Sequence, residues 1–226
     1  MIDYIGTNFT HEYAISDSVQ IVHVYESSQS SCLEIDLIFT VLKKGNLEFT
    51  PIIFGDGSYQ ITLTFVLEED AQAHIKGAYA LAQNQRCELI TRQYHLGKNS
   101  TSNLAINGIA KDTAVTDYRG MIRIEKSAPG TKAHQENKTI LFGALARATS
   151  IPSIEVLNHE VACAHGSAIG PLDRDHIRYA QARGIDESNA KKMMVRSIFW
   201  QMLNRINQPE PREQLANQLT NRIIGE

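Results

Sequence analysis

The chain has 226 residues, 42% hydrophobic and 21% charged, with a formal net charge of −3 at pH 7. That length supports one substantial core or a core with an appended piece, and the charge gives no broad basic field for nucleic acid. No apolar run nears the roughly 20 residues that span a bilayer, so membrane insertion is not expected, and the opening residues lack the basic and apolar blocks of a secretory signal.

From Val19 onward the chain returns repeatedly to short alternating segments. Leu33, Ile35, Leu37 and Phe39 share one parity, as do Ile61, Leu63, Phe65 and Leu67, which predicts strands with one buried and one wetter face. Further segments of this kind lie at Val19–Tyr25, Asn46–Phe54, Cys87–Leu96, Asn103–Ala110, Gly120–Glu125, Lys138–Gly143 and Ser153–Leu157. Hairpin signals are few, with Asp56-Gly57 and Asn107-Gly108 the main ones. Many similar strands with few hairpins favour a solenoid, although periodicity alone leaves a sandwich open. Gly55-Asp56-Gly57 and Gly97 are expected at turns of positive φ. Cys32 and Cys87, in strand-like contexts, are expected in the core. Three cysteines without paired spacing predict reduced thiols and a cytoplasmic location.

After His165 the pattern turns helical. Asp173 can cap a helix over Asp175–Arg183 that Gly184 ends, and Asp186 can cap a second. Along the second, Ala190, Met194, Ile198 and Met202 fall on one face, widened by Met193, Val195, Phe199 and Ile206. Beyond Pro209 and Pro211, Leu215, Leu219 and Ile223 share a face of a third segment. The expected division is a β core over residues 1–170 and a helical region over 171–226.

His159, Cys163 and His165 have the same parity in Asn158–Gly166. If that segment is extended, Cys163 and His165 stand on one side about 6.5–7 Å apart. A thiolate and an imidazole so placed can reach one iron or zinc, with His159 a weaker third candidate. The competing reading is a buried cysteine beside a hydrogen-bonded histidine. No phosphate-cradling G-x-x-x-x-G-K-S/T occurs, so no nucleotide is expected on this chain, and no G-x-S-x-G elbow suggests a hydrolase. Glu68-Glu69-Asp70 reads as solvated charge. Acidic clusters also serve polysaccharide-acting β-helix enzymes, which keeps that alternative open.

Several landmarks occur in a fixed order: Pro152, Ile154-Glu155-Val156, Cys163-Ala164-His165-Gly166-Ser167-Ala168-Ile169-Gly170, Leu172-Asp173, Tyr179, Arg183-Gly184-Ile185 and Ala190. Upstream stand Asp117-Tyr118-Arg119-Gly120-Met121-Ile122 and Ala128–Lys132. Together they resemble the C-terminal core of the SufB/SufD family of iron–sulfur cluster assembly proteins. Ala146 and Gly166 replace the cysteine and glutamate of the SufB pattern, so the likeness is to the SufD form.

The resemblance implies a mainly β protein: a right-handed parallel β-helix followed by C-terminal α-helices, here without the family's N-terminal helical domain. It implies a non-enzymatic subunit or scaffold for cluster assembly in complex with a SufC-like ABC-type ATPase, beside a SufB-like subunit or as a homodimer. Cys163 and His165 would be ligands of a transient iron–sulfur cluster shared with a partner chain. Tyr179, Arg183, Gly184, Ile185, Met193 and Met194 would belong to the ATPase-docking surface. The apolar helix faces would be covered by a partner or by the β-helix end, and Met1–Ser18, or a second copy of the chain, would cover the first coil. An interaction module that keeps the fold without cluster chemistry is the alternative.

Overall fold

Alternation of apolar and polar side chains becomes strand after strand in the computed structural model, which describes residues 2–28 and 31–225. Thirteen strands precede three helices among the described residues. β1 (Ile2–Ile5), β3 (Ser18–Ser27), β5 (Asn46–Gly55), β7 (Gln72–Leu81), β9 (Thr101–Lys111), β11 (Lys132–Phe142) and β13 (Ala162–Pro171) form one sheet in that order. The second sheet runs through β2 (Phe9–Ile15), β4 (Cys32–Val41), β6 (Ser58–Leu67), β8 (Arg86–His95), β10 (Val115–Ile124) and β12 (Arg147–Val156). Neighbours are parallel throughout, with Ser18 beside Asn46, Asn46 beside Gln72, and Lys132 between Thr101 and Ala162. The chain alternates between the sheets and climbs one coil at a time, a parallel β-solenoid flattened into two layers.

The space between the sheets holds the main core. Leu33, Ile35, Leu37 and Phe39 meet Ile61, Leu63, Phe65 and Leu67 there, all buried. Corners reverse the chain with residues of positive φ at Lys44, Asp70, Gln83, Asn99 and Asp112, and at Gly130 and Gly143. Gly55 follows the expectation of positive φ with 126°, whereas Asp56 and Gly57 do not. Gly97 does not have positive φ; it is glycine because the backbone of Glu68 and Glu69 closes on it and leaves no room for a Cβ. Asn107-Gly108 is not a turn but the middle of β9, where a Cβ on Gly108 would overlap the Tyr79 ring. Cys87 is buried as expected, whereas Cys32 is exposed at the start of β4.

α1 (Arg174–Ala182) is capped by Asp173, whose carboxylate accepts the Asp175 N–H. It ends in a Schellman arrangement: the Gly184 N–H donates to the Gln181 carbonyl and the Ile185 N–H to that of Ala180. α2 (Glu187–Leu203) is capped by Asp186. Pro209 and Pro211 open α3 (Pro209–Ile224), where the first turn needs no N–H donors.

The apolar stripes of α2 and α3 lie against the outer face of the odd-numbered sheet. Phe199, Leu203, Leu215, Leu219 and Ile223 share a buried cluster with Val24, Ile52, Ala78, Ala80 and Ile109. The flank of the sheet, not its end or a partner, therefore covers these helices, correcting the sequence expectation. Arg222 fixes the contact with an ion pair to Asp56 at 2.5 Å and a hydrogen bond to Gln85 at 3.1 Å. The described part of Met1–Ser18 forms β1, β2 and the start of β3; it is itself the first coil rather than a cover over it. None of the described helices is long and apolar enough to cross a membrane.

Candidate functional site

β12 and β13 are the last strands of their sheets, so their inward sides have no further coil above them. Parity carries inward from buried Ala133 and Gln135 to their register partners Cys163 and His165. Ile154 and Val156 likewise continue the column of buried Ile122 and Ile124 on β12. Cys163 is half-buried against Ile122, Ile124, Ala128 and Ala133, together with Ile154 and Val161. This burial pushes its thiol up from the ordinary value. His165 is exposed on the same side of the strand. Val156 and Ile169 are each 42% exposed, leaving an apolar rim around the thiol and imidazole.

His159 is not part of this arrangement. β13 begins only at Ala162, and His159 lies in the preceding turn beside Pro129, Leu157 and Glu160. The extended stretch assumed from Asn158 is broken there, so parity does not carry across. Among the described residues, no group of three or more His, Cys, Asp or Glu side chains could hold a metal ion. Cys163 and His165 are two side chains of metal-binding type on one side of β13, fewer than the four ligands a closed site needs.

The six docking candidates divide. Tyr179 and Met193 stand 62% and 57% exposed, and the Arg183 guanidinium lies over the Tyr179 ring at 5.2 Å. Gly184 supplies the positive φ of 85° that ends α1. Ile185 and Met194 instead pack against the cluster under α2 and α3. Arg174, Arg178 and Lys191 rim a cleft floored by Leu141, Phe142, Leu172 and Ile177 between α1 and the sheet end.

Polar residues inside the last coils are the feature that motif reading passed over. Gln93, Gln135, Asn137 and Thr139 are buried between the sheets. The signal was present, because Gln135 and Asn137 fall on the inward parity of β11 where apolar residues are the rule. Glu68-Glu69-Asp70 sits at a corner, with Glu69 paired to Lys43 and Lys98 at 3.2 and 3.3 Å. Those lysines hold its carboxyl below the usual range.

Fold and site together define a class: a parallel β-solenoid with a helical layer on one flank and a thiol and an imidazole on one side of its last strand. A family model for the SUF system FeS cluster assembly SufBD core domain matches residues 12–198, and the chain belongs to that family. Over 180 residues it is 27% identical to the iron–sulfur cluster assembly protein SufD of Plasmodium falciparum, covering 79% of this chain and 12% of that protein. It is 23% identical over 176 residues to SufD of Bacillus subtilis, covering 78% of this chain and 37% of the relative. Against an iron–sulfur cluster assembly SufBD family protein of Synechocystis the identity is 29% over 128 residues, 56% of this chain and 27% of the relative. The chain thus aligns with only a minor part of each of these longer proteins.

Proposed function

We propose that the chain is a SufD-like supporting subunit in iron–sulfur cluster assembly, with no catalytic chemistry of its own. The observation that carries this is the pairing of Cys163 and His165 on the open side of the terminal coil, ringed by exposed Val156 and Ile169. A thiolate and an imidazole suit iron, and an apolar rim suits burial against another chain. That chain, a SufB-like subunit or a second copy, would supply the remaining ligands, and the cluster is cargo rather than a resident group. Burial raises the thiol above its ordinary value, so a metal would have to displace a proton held more firmly than on an exposed cysteine.

A SufC-like ATPase would dock on the exposed side of α1 and the start of α2, through Tyr179, Arg183 and Met193. Nucleotide hydrolysis would lie with that partner, since this sequence has no phosphate loop of its own. α2 and α3 are fixed to the sheet, which suits them to pass a rotation on to the solenoid.

Anaerobic reconstitution of the partner complex with iron and sulfide tests the reading. Cys163→Ser and His165→Ala are expected to lower cluster yield, and yields equal to the parent's would remove the ligand assignment. An interaction module without cluster chemistry would bind its partners with both substitutions in place and show no change in iron content.

A further inference from the structure

Directly beneath His165, on the neighbouring strand, stands Gln135. The two are register partners on β13 and β11, and neighbouring strands lie about 4.8 Å apart with side chains on one side. Gln135 is fully buried, as is Gln93 on β8, whose Nε2 donates to Gln135 Oε1 at 3.1 Å. Gln93 Oε1 and Gln135 Nε2 are then buried without a partner. The oxygen and NH2 of a carboxamide have nearly the same shape, so turning both amides reverses the bond and moves nothing else. The open groups then become the Gln93 NH2 and the Gln135 oxygen. In either sense one donor and one acceptor stay open, which costs stability unless a further group or a water meets them.

Room for the Gln135 carboxamide is made deliberately. A Cβ on Gly120, on the facing sheet, would overlap it. Packing alone would be better served by two apolar side chains, since an open buried polar group costs stability. The pair needs a third participant, and the neighbour on the open side is an imidazole.

We propose that Gln135 is the positioning residue for His165. With the amide pair in its reversed sense, the Gln135 oxygen accepts from the imidazole N–H through one water, while Gln93 accepts from the Gln135 NH2. The other ring nitrogen then offers its lone pair to the open end. Imidazoles that bind metal are held in this way, by an acceptor behind the nitrogen that does not bind. This deepens the reading of Cys163 and His165 as donors and rests on it for its purpose, though not for its geometry.

The test compares the full chain with the double variant Gln93→Leu, Gln135→Leu. Removing both amides leaves nothing open, so the melting temperature is expected to equal or exceed the parent's. The His165 tautomer is read by long-range proton–nitrogen NMR, with His165→Ala to assign the signals. The parent is expected to show one tautomer and the double variant a mixture; a single, unchanged tautomer in the variant overturns the proposal. Should the double variant fail to fold, Gln135→Met alone gives the same readout. A Co(II) titration separates the two readings. Thiolate absorption lost in Cys163→Ser and weakened roughly 10–100-fold in the double variant supports both. A parent without such absorption sinks the donor reading alone, and a variant with undiminished affinity sinks the positioning role alone.

Discussion

The interior of the coils around β4 to β6 is dry, and that of the last coils is wet. Between β4, β5 and β6 the interior is aliphatic and aromatic, with Phe39 stacked on Phe65 at 5.3 Å and tilted against Phe49 at 4.7 Å. Between β8 and β11 hydroxyls, amides and an imidazole take over. Thr91 bonds Tyr118 at 2.8 Å, Tyr79 bonds Thr139 at 2.5 Å, and His95 reaches Ser100 and Ser102 at 2.8 Å each. A dry stack gains from each methylene it buries and is indifferent to direction. A polar stack gains little net energy but fixes side chains in particular orientations. Stability is concentrated around β4 to β6 and geometric definition toward the far end, where Cys163 and His165 lie.

Substitutions can break this contrast in order of effect. Phe65→Ala, in the dry half, is expected to cost about 3–5 kcal/mol, measured by urea unfolding. A loss below about 1 kcal/mol would mean that the early coils are not the stabilising part.

Acid should act next, through His95. Burial holds its imidazole down at about 4, against about 6.5 when unfolded. Between those values the unfolded chain takes up the proton and the folded chain does not. Stability is therefore full above pH 6.5 and falls as pH drops toward 4, by about 2–3 kcal/mol at pH 4.5. Unfolding at pH 7 and 4.5 measures the slope, and His95→Phe should remove the His95 share, leaving that of His23, whose buried imidazole is likewise held down at about 4.

Smaller changes belong to the flank. Asp186→Ala removes the carboxylate that accepts the Asn189 N–H at 3.0 Å and should cost about 1 kcal/mol of thermal stability. Tyr179→Ala with Met193→Ala, on exposed side chains, should shift stability by less than about 0.5 kcal/mol. The same pair should weaken ATPase capture in a pull-down, and undiminished capture would move the docking surface elsewhere. Deleting Asp173–Glu226 is a poorer probe, because it would bare Ile52, Ala78 and Ile109 under the helices.

Much of the fold was legible before any coordinate. The shared parity of Leu33, Ile35, Leu37 and Phe39 gave a strand and its buried face, and Asp173 with Gly184 bracketed α1 within a residue. The landmark order from Pro152 to Ala190 pointed to the family. Cys163 and His165 kept their common side because β13 is extended from Ala162 on. His159 lost it because a turn intervenes, and a turn resets the period-two rule on which the inference stood.

What the residues determined alone was local: which segments extend, which coil into helices, and which side of each strand avoids water. These follow from backbone sterics and from the cost of wetting apolar surface, both expressed over a few neighbours. The tertiary structure decided which strands pair and what covers the odd-numbered sheet. A strand in a flattened solenoid and one in a sandwich have the same alternation, and only long-range pairing separates them. Ile52, Ile53 and Phe54 are buried on both faces of β5, and the outer face is covered only because helices far along the chain fold back on it. The open end is likewise tertiary, because Cys163 faces a potential partner only where no further coil is stacked above it.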